Sequence, residues 1–144
     1  MRHYTDRQAV DRIIDANLNR VQEGVRVCEE FTRFILNNSA LTKELKHIRH
    51  RISALCLLPA FKGCIGKRDT ESDPGTTIHH PRELKRARPS DILFANMQRA
   101  KESVRVLEEF AKLKNKTAAL QFKKLRYRLY VLEQKIRERI ERIG

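Results

Sequence analysis

The chain has 144 residues, enough to bury one core without disulfide or metal staples. It lacks Trp, so Leu, Ile, Val and Ala must build most of that core. The formal net charge of +13 favours anionic partners, such as phosphorylated metabolites, nucleotides, nucleic acid or acidic membranes. The three cysteines, Cys28, Cys56 and Cys64, show neither CxxC nor Cys/His ligand spacing. A disulfide framework or zinc site is not expected, and a reducing compartment fits. Met1 is followed by polar residues, which predicts no signal peptide, and no apolar run approaches the ~20 residues that span a bilayer. A soluble, cytoplasmic protein is expected.

Thr5 and Gln8 form a capping-box pattern that opens a first helix. Asn37-Asn38 breaks it, and Ser39 can cap a second helix over about 40–57, which stops before Pro59. All four prolines, and Gly63, Gly66 and Gly75, fall between residues 59 and 89. This punctuation predicts an irregular middle, with a short helix opening at Pro81. Ser90 can cap a third helix running to about Lys114. Asn115 and Thr117 mark a turn, and a long fourth helix reaches the C-terminus. No strand pattern is present.

The stretch ANLNRVQEGVRVCEEF at 16–31 returns as ANMQRAKESVRVLEEF at 95–110, with ten of sixteen positions identical. HIRHRI at 47–52 answers KLRYRL at 124–129, aligning Arg49 with Arg126. The repeating unit is therefore a helical hairpin, which cannot bury its apolar stripe alone. Two copies related by a pseudo-twofold axis can. The expected fold is all-α: a duplicated hairpin forming an antiparallel, four-helix-bundle-like single domain. Repeat one covers about 6–58, a long functional central loop 59–89, and repeat two about 90–143.

At about 100° per residue, Leu18, Val21, Val25, Cys28 and Phe31 share one face. Asn17 falls inside that arc, Arg20 on its edge and Glu23 one step beyond. Asn96, Arg99 and Glu102 repeat the pattern in the second copy. One reading is a polar layer, with Asn17 bonded to Asn96 or each to a carbonyl, and Arg20 and Arg99 paired to Glu23 and Glu102. The other is a shared cavity on the twofold axis, where arginines offer fork-shaped donors to phosphate oxygens. Arg26 and Arg105, one turn before Glu30 and Glu109, read as solvated ion pairs. Arg49 and Arg126 could point inward, as further substrate-binding residues.

The segment GCIGKRDTESDPGTTIHHP at 63–81 is too long for a plain connector. Its glycines allow backbone amides to approach an anion. Lys67 and Arg68 add positive charge, and Asp69, Glu71 and Asp73 are hard oxygen ligands that suit Mg2+ with a phosphate. Thr70, Thr76 and Thr77 add hydroxyls. A mobile hydrophilic loop is the plainer reading, and no Walker A pattern is present.

ANLNRVQEGVRVCEEFTRF, RDTESDPGT, ANMQRAKESVRVLEEFAK and KKLRYRLYVLE together resemble the helical domain found alone or fused ahead of thiamine-phosphate synthase. That family is regarded as a hydroxymethylpyrimidine-phosphate kinase. The resemblance covers about residues 11–136. It implies a phosphotransferase that converts 4-amino-5-hydroxymethyl-2-methylpyrimidine phosphate to the diphosphate with ATP and Mg2+. It carries the family motifs onto Asn17, Arg20 and Glu23, onto Arg68, Asp69, Thr70, Asp73, Gly75 and Thr76, and onto Asn96, Arg99 and Glu102. Pro74 stands where the family has an apolar residue, often Val. On this reading Arg20, Arg68 and Arg99 hold phosphate oxygens. Asp69 also serves the chemistry, with Asp73 as the second metal ligand, and Asn17 and Asn96 orient the substrate. Expected partners are the phosphorylated pyrimidine and ATP, with thiamine-phosphate synthase a further candidate; the chain would act as a monomer or homodimer. The alternative class is a basic helical module that binds nucleic acid or tethers a partner without catalysis. Against nucleic acid, the charge is spread along the chain and no stacking platform appears.

Overall fold

The computed structural model describes residues 3–144, apart from the side chains of residues 82 and 83. The polar start at Met1, read as the absence of a signal peptide, lies outside the described residues. The fold is all-α, with no strand among the described residues. Helix α1 spans Asp6–Glu30 and α2 Ser39–Cys56. A one-turn helix, α3, spans Pro59–Lys62, and the long helices α4 and α5 span Pro89–Ala111 and Lys116–Ile143. Between α3 and α4 the chain makes three short 3-10 turns, Thr70–Ser72, Pro74–Thr77 and Pro81–Leu84. No helix is long and apolar enough to cross a membrane among the described residues.

The helix starts follow local chemistry. Thr5 and Gln8 close the expected capping box on α1. Asn38, not Ser39, caps α2: its side-chain oxygen accepts from the Leu41 N–H at 3.0 Å. Asn115 does the same for α5 through Ala118. At α4 the Asp91 carboxylate, not Ser90, accepts from the N–H groups of Ala87 and Arg88.

The two hairpins differ in one place. Glu29 and Glu108 stand 79 positions apart, whereas the capping Asn38 and Asn115 stand 77 apart. Repeat one thus carries two extra residues between helix and cap. A π-helical turn over Phe31–Ile35 takes up part of the excess, with Leu36 N–H bonded five residues back to Phe31. Asn37 completes the change of direction at φ 48°, a left-handed conformation that Asn tolerates. Thr32, buried within the widened turn, donates to the Glu29 carbonyl and meets the Thr42 hydroxyl of α2.

Helix α1 packs most extensively on α4; α2 lies against α1, α5 against α4, and α2 touches α5. Paired contacts show that neighbours run antiparallel. Gln22 reaches Ser53 and Glu29 reaches Arg49 between α1 and α2, while Lys101 reaches Glu133 and Glu108 reaches Arg126 between α4 and α5. The predicted apolar face of α1 is buried, as are Val104 and Leu107 on α4. From α3, Phe61 meets Phe122 of α5 edge-on in the same core.

The α1–α4 crossing requires Gly24. A Cβ there would stand 3.1 Å from the Asn96 carbonyl oxygen and 3.5 Å from the Ala100 Cβ. Gly24→Leu is expected to force the helices apart and cost about 1–3 kcal/mol, as overpacking does. Urea unfolding of the variant checks this; an unchanged midpoint would mean that the crossing is looser than it looks.

Candidate functional site

Where α1 and α4 cross, their outer surfaces leave a cleft of about 460 Å³. That volume lies within the range of small-molecule sites. Asn17, Arg20, Glu23 and Gly24 line it from α1, and Asn96, Arg99, Glu102, Ser103 and Val106 from α4. The duplicated helix thus brings both sets of Asn, Arg and Glu into one cleft.

Their partners separate the two readings of this layer. Asn17 does not bond Asn96. Its side-chain amide donates to the Ile13 carbonyl at 2.8 Å, and that of Asn96 to the Ile92 carbonyl at 2.9 Å. Each asparagine is thereby fixed on its own helix. Asn17 is 5% exposed, so its placement depends on that bond. Arg20 and Arg99 form no ion pair or hydrogen bond among the described residues, although Glu23 and Glu102 lie one turn away. Glu102 accepts from Gln98 at 3.0 Å. The cleft therefore presents two guanidinium groups without partners among the described residues, beside two anchored amides.

Arg49 and Arg126 have a different role. Arg49 makes a two-point bond to Glu29, at 2.8 and 3.3 Å, and Arg126 the same bond to Glu108, at 2.8 and 3.4 Å. Neither lines the cleft; each ties the two helices of its own hairpin together. Burial by itself would raise the Glu108 carboxyl. The hydrogen bonds and charges of Arg126 and Arg105 outweigh it and hold the group below its ordinary value. Sequence reasoning paired Arg26 with Glu30 and Arg105 with Glu109, and those contacts exist at 3.4 and 3.3 Å. It missed the buried Glu29 and Glu108. The available signal was the doubled Glu-Glu in both copies beside an Arg repeated in both second helices.

The central segment sits elsewhere. Asp15 of α1, buried, accepts from the Arg68 backbone N–H at 2.9 Å. Arg12 donates to the carbonyls of Arg68 and Asp69, and Tyr4 donates its hydroxyl to the Asp69 carboxylate. Asp11 holds Lys114 at 2.7 Å and accepts from the Cys64 thiol. At 100° per residue, Asp11 and Asp15 flank the buried stripe of α1 on one side and Arg20 on the other. Arg68, Asp69, Thr70, Asp73, Gly75 and Thr76 are all absent from the cleft lining.

The loop's polar groups are largely engaged in shaping it. Asp69 adopts φ 51° ahead of the first 3-10 turn. Asp73 accepts from the Gly75 N–H, its carbonyl accepts from the Thr76 hydroxyl, and Pro74 opens the turn that follows. The N–H of Gly75 is thus already used. No group of three or more His, Cys, Asp or Glu able to hold an ion occurs among the described residues. Burial pushes the Cys28 thiol up to about 12 and those of Cys56 and Cys64 to about 11.

A model of the ThiD2 family matches residues 12–135, which takes in both helical hairpins. The chain belongs to the ThiD2 family. Curated relatives include the thiamine-phosphate synthase of Nostoc punctiforme, 43% identical over 129 residues, which are 90% of this chain and 36% of the relative. Those of Thermosynechococcus vestitus and Rhodopirellula baltica are 40% and 38% identical, over 88% and 85% of this chain and 35% and 33% of their own lengths. The chain spans about a third of the length of the curated relatives it matches. No solved structure gives a significant match.

These comparisons correct the reaction inferred from the sequence. At about 40% identity over most of the chain, the curated relatives are named thiamine-phosphate synthase, not hydroxymethylpyrimidine-phosphate kinase. The connection to thiamine stands. The kinase reading, with ATP as its co-substrate, does not.

Proposed function

We propose that this member of the ThiD2 family serves the enzymatic formation of thiamine phosphate by holding a phosphorylated pyrimidine in the α1–α4 cleft. One observation carries the reading: Arg20 and Arg99 enter a ligand-sized cleft with no protein partner among the described residues. Unpaired guanidinium groups beside anchored amides suit an anion with a polar ring attached. The arginines take phosphate oxygens through charge-assisted hydrogen bonds. Asn17 and Asn96 have spent one amide hydrogen on their own helices and keep their carbonyl oxygens for the ring. The names of the relatives support the pathway, and the arginines of the cleft support the ligand class.

Titration calorimetry with 4-amino-5-hydroxymethyl-2-methylpyrimidine phosphate and with its free alcohol tests this. The phosphate should bind, and the alcohol at least about tenfold more weakly, the usual worth of a charge-assisted contact. Equal affinity for the two, or no binding of either by folded protein, would reject it.

A further inference from the structure

The cleft lies where the two copies of the repeated helix cross, and their antiparallel register sets the two arginines at nearly the same level, where a pseudo-twofold axis relating the copies would pass. Gly24 faces the Asn96 carbonyl, with 3.1 Å to a built Cβ, and the Cys28 thiol faces the Leu93 carbonyl at 3.7 Å. Each step up α1 is therefore a step down α4. Gly24 lies level with Asn96, so Arg20 lies near Ala100, one residue from Arg99. At 1.5 Å per residue the two arginines stand within about 3 Å of the same level. The asparagines diverge: Asn17 is seven residues from the level of Asn96, roughly 10 Å along the axis. Two cations thus meet at the centre, and a polar end extends on each side.

The ends are not equivalent. One holds Asn96, Gly24 and Glu23; the other holds Asn17, Ser103 and Glu102. Glu102 is engaged by Gln98, whereas Glu23 has no partner among the described residues. The position of Ser103 in one copy is Gly24 in the other, so a side chain is missing from the Glu23 end. An unpaired carboxylate, at an end where Gly24 offers no hydroxyl to match Ser103, calls for a ligand group that donates hydrogen bonds.

We propose that Arg20 and Arg99 jointly clamp a single phosphate on the pseudo-twofold axis, and that the rest of the ligand, an amino-bearing heterocycle, lies in the end formed by Glu23, Gly24 and Asn96. The duplication gives one site with two possible orientations, and Glu23 selects between them. This rests on the phosphorylated-pyrimidine reading and adds stoichiometry and orientation to it.

Calorimetry with the same pyrimidine phosphate and with inorganic phosphate tests the proposal on the full chain, with circular dichroism confirming that each variant is folded. One ligand should bind per chain. Arg20→Ala and Arg99→Ala should each weaken the pyrimidine phosphate by about tenfold or more. The double variant should lose less than the product of the two, because both groups serve one anion. Glu23→Gln should weaken the pyrimidine phosphate by about tenfold and leave inorganic phosphate unchanged, whereas Glu102→Gln should change either by less than about twofold. Two ligands per chain with multiplicative arginine effects would overturn the shared clamp. A Glu102→Gln loss equal to that of Glu23→Gln would overturn the orientation. If the folded wild type binds no pyrimidine phosphate, the underlying reading fails as well.

Discussion

Glu108→Ala should lower the stability of the fold by about 3 kcal/mol, the cost of breaking a buried ion pair from one side. The Glu108 side chain is 6% exposed and the Arg126 side chain 11%, so both charges are largely withdrawn from water where they meet. Arg126 has two nitrogens on Glu108 and a third on the Tyr130 hydroxyl; Arg105 adds a contact from one turn away. Removing the carboxylate strands the Arg126 guanidinium between α4 and α5. Urea unfolding measures the loss, and a change below about 1 kcal/mol would put the pair in the surface class. The double variant Glu108→Leu/Arg126→Leu should recover much of the loss, because replacing both partners removes the stranded charge. In repeat one the Arg49 side chain is 22% exposed, so Glu29→Ala should cost less.

The same pair sets an acid limit. Its folded-state carboxyl is held below the ordinary 4.5, so the unfolded chain binds more protons in that range. The stabilisation is complete above about pH 4.5 and is lost as pH falls through the folded value. Asp11 acts in the same direction. Burial would raise it, but bonds from Lys114 and Cys64 and nearby positive charge lower it below 3.8. Unfolding at pH 7 and at pH 3.5 should show a smaller acid loss for Glu108→Gln than for the wild type.

The duplicated helix was legible because its signals are local. Apolar spacing placed Leu18, Val21, Val25 and Cys28 in the core, and the same spacing placed Asn17 and Asn96 inside that arc with Arg20 and Arg99 at its edge. The α2 cap fell one residue early, at Asn38, and α4 starts at Pro89, with Asp91 of its first turn reaching back to the Arg88 N–H where Ser90 was expected to cap; Ser, Asn and Asp all serve helix starts, and only the backbone path chooses among them. The π-turn was not legible as such. Its trace is the change of repeat offset between Glu29 and Asn38, a matter of spacing between copies and not of any residue type. Arg49 and Arg126 were harder still. Whether a long side chain points to a cleft or to a neighbouring carboxylate depends on the rotation of α2 against α1, and no single helix encodes that. The loop reads two ways for a related reason. Its Asp, Thr and Gly residues have the chemistry of a phosphate site, and they are also what a chain of consecutive 3-10 turns needs to satisfy its own backbone.

Asp15→Ala decides whether loop and cleft are one site or two. Asp15 is 6% exposed and accepts the Arg68 N–H, and its own carbonyl accepts from Asn19. Without the carboxylate, the Arg68 amide loses its partner where the loop meets α1. Leaving a buried donor unpaired costs about 1–3 kcal/mol. That cost falls on a segment held by few apolar contacts, so local opening should increase more than global unfolding. Limited proteolysis should therefore cut the variant within residues 64–78 much faster than the wild type, while the unfolding midpoint moves little. Affinity for the pyrimidine phosphate should stay within about twofold, because Arg20 and Arg99 lie across the buried stripe of α1 from Asp15. If loosening the loop instead removes binding, Arg68 and Asp69 reach the ligand, and the cleft and the loop form a single site that closes around α1.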